Sequence, residues 1–140
     1  MAFTGNFSCN TLRAGLANGS INLTSDTFYL ALYTNDATLD ETTTAYTATG
    51  EASGGDYTAG GQVVTSTVST QTTASGSVVY ITFSSPSWTG QITARGALIY
   101  KAGANGAICV LDFGNTKTST TTFTVEMPAN TSTSALIRLV

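Results

Sequence analysis

The 140-residue chain carries five Lys and Arg against eight Asp and Glu, a formal charge of -3, and no His. That balance gives no basic field for a phosphate backbone, so nucleic acid is not expected as a partner, and the commonest general base and nitrogen metal ligand are missing. About one residue in five is Thr and only 9% are charged, a composition suited to strands and turns with a weakly charged, associating surface, and the length fits one domain with its own core.

The N-terminal MAFTGNFSCN lacks the basic residues and apolar run of an export signal, and no later stretch approaches the roughly 20 apolar residues of a membrane span. Synthesis in a cytoplasm with no membrane partner is the expectation. Cys9 and Cys109 could form a bridge, but without an export signal free buried thiols are favoured. In residues 1–26, Ser8 or Asn10 can cap a short helix that places Leu12 and Leu16 on one face and stops at Asn18 and Gly19. Its apolar stripe is too narrow to stand alone, so it must pack on a sheet or on a neighbouring subunit.

Residues 27–34 (TFYLALYT) place Phe28, Leu30 and Leu32 on one face and Tyr29, Ala31 and Tyr33 on the other, which predicts a central strand covered on both sides. That double apolar character, with sparse charge, predicts a symmetric oligomer. Periodicity then fails over residues 35–61, about 27 positions rich in Thr, Gly and acids. A loop of that length is expected to be functional or ordered by a partner, and to be dispensable for the folded body. Further strands are predicted at 62–70, 77–84, 91–101, 107–113, 120–127 and 134–140, separated by Gly, Pro and Asn turn signals. Helical stretches between strands are missing, so residues 1–140 read as one all-β domain, an antiparallel β-sandwich of jelly-roll type with about seven to eight strands and a short N-terminal helix.

Catalytic chemistry finds little support. Without His no Ser-His-Asp or Cys-His arrangement can form, and two distant Cys do not make a zinc site. The loop acids Asp36, Asp40, Glu41, Glu51 and Asp56 read as turn caps instead of a carboxylate pair, and DATLDE lacks the spacing of a calcium loop. No catalytic residue, metal site or cofactor is expected. Trp88 in SPSWTG either closes one end of the core or anchors a partner, with the core reading first. Arg95 is expected to pair with Asp112 or Glu126; plain alternation puts it with Thr93, Ala97 and Ile99, unless Gly96 bulges.

TFYLALYT followed by DATLDETTTAYTATGE, then SGGDYTAGGQVV, SWTGQITARGALIYK and CVLDFGNTKTSTTTFTVEMP, resembles small Thr- and Gly-rich virion proteins of tailed bacteriophages. The resemblance runs from about residue 27 to the end. It implies a capsid cement or decoration protein, made in the host bacterium, commonly a homotrimer, bound to the major capsid protein between capsomers on the virion surface. The alternative is a tail-tip or fibre-associated module that binds a host glycan, with Trp88, Tyr46, Tyr57 and the loop acids stacking on sugar. The residues expected to supply the contact surface are Leu12, Leu16, Tyr29, Tyr33, Leu39, Tyr46, Tyr57 and Trp88.

Overall fold

The computed structural model describes residues 3 and 5–139. A short strand β1 (Phe7–Ser8) leads into helix α1 (Asn10–Asn18) and the long strand β2 (Phe28–Tyr33). After the loop come β3 (Gln62–Val64), β4 (Ser66–Thr73), β5 (Gly76–Phe83), β6 (Ser87–Thr89), β7 (Thr93–Lys101), β8 (Ala107–Thr118), β9 (Thr122–Thr124) and β10 (Ile137–Leu139). Every pairing is antiparallel. The strands form sheets in the orders β1-β8-β7-β2-β3, β10-β5-β4 and β6-β9, an all-β antiparallel fold with one short helix. Two differences from the sequence reading stand out. Residues 62–70 are not one strand: the chain leaves the five-stranded sheet at Thr65 and enters the three-stranded one, so β3 pairs with β2 and β4 pairs with β5. The sheets therefore hold five, three and two strands, ten in place of the seven to eight expected.

β2 explains the layering. Phe28, Leu30 and Leu32 enter a core shared with Ile81 and Phe83 of β5, Trp88 of β6, Phe123 of β9 and Ile137 of β10. Phe28 meets Phe83 edge to face, with ring centroids 5.5 Å apart. On the opposite face Ala31 and Tyr33 join Phe3, Cys9, Ala37, Leu39, Leu98, Tyr100, Ala107 and Val110 in a second cluster, with Tyr29 packed against it. The strand is covered on both sides as its pattern predicts, but the second cover is the chain's own N-terminal segment and loop. The apolar second face therefore gives no reason for an oligomer.

Helix α1 leans on this body. Leu12 is buried in the main core, and Leu16 packs half-buried against it. Gly15 is close-packed on Ile21, where a Cβ would come within 2.6 Å of the isoleucine Cγ1. Neither Ser8 nor Asn10 caps the helix: Cys9 holds the N-cap position with no side-chain cap bond. Arg13 occupies the expected caps instead, its guanidinium donating to Ser8 Oγ at 2.6 Å and to Asn10 Oδ1. Gly19, at φ 83°, ends the helix in the left-handed conformation, as expected.

The β7–β8 ladder carries a bulge. Ala94 pairs with Lys117 but Gly96 pairs with Asp112, so residues 113–116 of β8 loop out. The bulge breaks plain alternation, leaving Ala94 in the main core with Ala97 and Ile99 while Arg95 turns to the other side. There its guanidinium lies 5.5 Å from the Phe3 ring centroid and pairs with Asp112. Burial pushes the Asp112 carboxyl up, but the hydrogen bond from Arg95, the Gly114 N–H and the Arg95 charge outweigh it and hold it below the usual carboxylate range. A depressed folded value means the pair stabilises the fold above the unfolded carboxylate range, near pH 4, and that this stability is lost as pH falls through the lower folded value. Asp112→Asn is expected to cost about 2 kcal/mol at neutral pH, since it strands Arg95. It should also flatten the acid limb of a stability–pH curve measured by chemical denaturation; a variant with the wild-type curve would show that the pair contributes nothing.

Candidate functional site

The residues that gather most polar chemistry are brought together by the loop between β2 and β3. The loop returns along β2: Thr34 N–H donates to Gly50 O at 2.8 Å, Ala52 N–H to Leu32 O at 2.9 Å, and Glu51 bridges Tyr33. β3 covers residues 28–30 of that edge, so this return completes it. It also fixes Glu51, whose Oε1 accepts the Tyr46 hydroxyl at 2.5 Å and whose Oε2 accepts the Tyr57 hydroxyl at 2.5 Å and the Gly60 N–H at 2.7 Å. Tyr57 Oη in turn accepts the Leu32 N–H at 2.9 Å. Tyr33 donates to Thr47 O and Tyr100 to Gly60 O. Tyr46 stacks on Tyr100 with centroids 5.0 Å apart, and Tyr100 on Tyr29 at 5.5 Å.

These contacts raise phenol pKa values. Burial, then the hydrogen bond to Glu51 and its charge, push Tyr46 up to about 12; burial, then the Glu51 charge, do the same for Tyr100. Tyr33 and Tyr57 are raised further, again chiefly by burial. With three donors on one carboxylate and its phenols held protonated, the cluster is built to hold the loop on the sheet.

Of the residues expected at a contact surface, Leu12, Tyr33, Leu39 and Trp88 are each at most 2% exposed. They belong to the two cores and cannot face a partner. Trp88 pairs with Phe123 across β6 and β9 and tilts against Tyr57 at 5.4 Å, which is the core reading of that residue. Leu16, Tyr29, Tyr46 and Tyr57 are half-buried. With Trp88 inside and the Tyr57 hydroxyl consumed by Glu51 and Leu32, the sugar-stacking set of the glycan alternative does not assemble on the surface. Nor is the loop idle polar chain awaiting a partner: Ala37, Leu39 and Ala52 are buried. Deleting residues 39–57 is therefore expected to uncover the second core and leave no cooperative melt, whereas a dispensable loop would leave the circular-dichroism transition intact.

The loop acids act singly. Asp40 Oδ1 accepts the Thr42 hydroxyl and the Thr42 N–H, the latter at 2.8 Å, turn contacts that in that order lower its pKa, and Asp56 Oδ1 accepts the Thr89 N–H at 2.8 Å. Among the described residues no three Cys, Asp or Glu gather as a metal site, and no helix is long and apolar enough to cross a membrane. A groove of about 430 Å³ beside β9 has Lys117 and Glu126 as the charged residues on its wall. Both thiols are free and buried; burial pushes Cys9 up to about 11 and Cys109 higher. Native protein is expected to react with a thiol reagent at neutral pH at least ~100-fold more slowly than unfolded protein, with reductant leaving the melting temperature unchanged. Equal rates in the two states would show that the thiols are open.

Sequence reasoning missed Glu51 as an organiser and Tyr100 as the ring between two others. The available signal was AYTATGEASGGDYTAGG, in which Glu51 is set among glycines with Tyr46 and Tyr57 on either side. No protein-family model, curated protein or solved structure matches the chain.

Proposed function

We propose that this chain is a structural protein of a bacteriophage virion, a capsid cement protein that binds the major capsid protein between capsomers and stabilises the head. The reading rests on the resemblance of residues from about 27 onward to small virion proteins. The structural observation that supports it is the surface: no charged residue occurs from position 57 to position 94, a stretch holding all of β3, β4, β5 and β6. A rigid, hydroxyl-rich, neutral β body presents pre-formed hydrogen-bonding surface at little ordering cost, which is what bridging two capsomers demands. Binding that favours the closed shell raises its stability by mass action, by about 2.7 kcal/mol per site at a free concentration 100 times Kd.

The test uses capsids assembled without this protein. Added full-length protein is expected to co-sediment with them at a fixed stoichiometry and to raise the temperature at which they release DNA. Capsids that neither bind it nor gain heat resistance would overturn the assignment.

A further inference from the structure

The long open strand edge of this protein is β4. Of the strands that end a sheet, β1 has two residues and β3, β6, β9 and β10 have three each, while β4 has eight, paired to β5 in unbroken register from Ser66↔Phe83 to Thr73↔Gly76. Exposed edges in soluble proteins are usually blunted by charge, proline or a bulge, because unpaired N–H and C=O groups accept another strand. STVSTQTT has none of these devices. Ser84 N–H donates to Thr65 O at 2.8 Å; by the alternation of an antiparallel ladder, residues 67, 69, 71 and 73 then turn their backbone groups to β5. Val68, Thr70 and Thr72 turn theirs outward.

A second observation falls on the same ribbon. Val68 is 37% and Leu139 44% exposed, two of the three large apolar residues this open among the described residues. Val68 stands opposite Ile81, and both Thr70 and Leu139 stand opposite Val79, so all share the core-facing side of the β10-β5-β4 sheet. Toward the hairpin tip that side runs past the core, and residues 70–77 are exposed throughout.

We propose that two copies of this chain join edge to edge through β4, antiparallel about a two-fold axis at Thr70, to make one six-stranded sheet. A second copy is the occupant that the chemistry selects. About that axis Thr70 faces itself, Ser69 faces Gln71, Val68 faces Thr72 and Thr67 faces Thr73. These are small hydroxyl, amide or β-branched residues throughout, and no like charges meet. The outward N–H and C=O groups of residues 68, 70 and 72 then find partners, and Val68 of each copy packs beside Thr72 of the other on one face. The contact is isologous and closes at two, so it does not run on into fibres. It stands apart from the virion reading and needs no capsid.

Sedimentation equilibrium of the full-length protein at about 100 μM is expected to give a dimer, or an even-numbered oligomer containing it. Thr70→Pro removes the N–H at the axis without touching the β4–β5 ladder, and Thr70→Lys sets two ammonium groups face to face. Each is expected to weaken association more than tenfold, with circular dichroism unchanged. Should the proline variant misfold, the charge pair decides alone: T70K and T70E are each expected to be monomeric, and their equimolar mixture dimeric. A monomeric wild type, or any oligomer, a trimer included, that T70K leaves intact, would overturn the proposal. A T70K monomer that still binds capsids supports it and leaves the cement function standing.

Discussion

Gly61→Ala is expected to lower stability by more than about 4 kcal/mol, or to prevent folding. Gly61 sits at φ 82°, where an L side chain is already strained, and lies directly over the central strand. A Cβ there would overlap the Leu30 carbonyl oxygen and stand 2.6 Å from its carbon and 2.9 Å from Ala31 Cα. Nothing flexible can yield, because the obstacle is β2 backbone held between β3 and β7. The one relief is to lift the chain off the sheet, which breaks the Gln62↔Leu30 register and removes the Gly60 N–H from Glu51. Gly103→Ala makes the control: its φ is 99°, but nothing lies within 4 Å of the added carbon, so it should cost only the conformational strain, about 1–2 kcal/mol. Chemical denaturation of the two variants separates the cases. Equal losses would mean that the close approach at Gly61 is not a constraint.

That contrast bears on what was legible in the sequence. β2 was readable because burial on both faces leaves a continuous apolar run, and both clusters use the residues its alternation assigns. The switch at Thr65 was not, since QVV and STVSTQTT both satisfy strand chemistry and alternation says nothing about which sheet a strand joins. The loop was misread for a related reason. Ala37, Leu39 and Tyr46 join the second cluster and Ala52 the main core, at spacings that match neither helix nor strand, so no periodicity announces their burial. The cap was missed because Arg13 competes for the oxygens that would have made it. Of the expected contact residues, Leu12, Tyr33, Leu39 and Trp88 lie in the two cores: in a chain so poor in large apolar groups, picking those groups often picks the core. The surface left for partners is Thr and Ser, which a pattern search does not single out. Arg95 and Asp112 were found because so few charges leave few pairings.

Glu51→Ala is expected to cost about 3 kcal/mol, the largest effect of any single side chain in the loop. It orphans the Tyr46 and Tyr57 hydroxyls and the Gly60 N–H at once, and water can replace the carboxylate only where these half-buried groups reach solvent. Glu51→Gln should cost roughly half as much, because one oxygen still accepts while the amide turns a donor toward a phenol. The alkaline limb identifies the mechanism. Burial, then the Glu51 contact, raise Tyr46 to about 12 from the ordinary phenol value of 10. A raised folded value means the protonated phenol is the form the fold retains. Its stabilising effect is full below about pH 10 and is lost as pH climbs toward 12. Titrating wild-type protein from pH 9 to 12 should therefore show tyrosinate absorbance rising together with loss of circular dichroism, later than for free tyrosine. In Glu51→Ala part of that rise should move toward pH 10 and precede unfolding. If all six tyrosines ionise near pH 10 in a wild type that stays folded, the carboxylate does not hold the loop through its phenols. The loop would then be held on the second core by the packing of Ala37 and Leu39 instead of by the carboxylate.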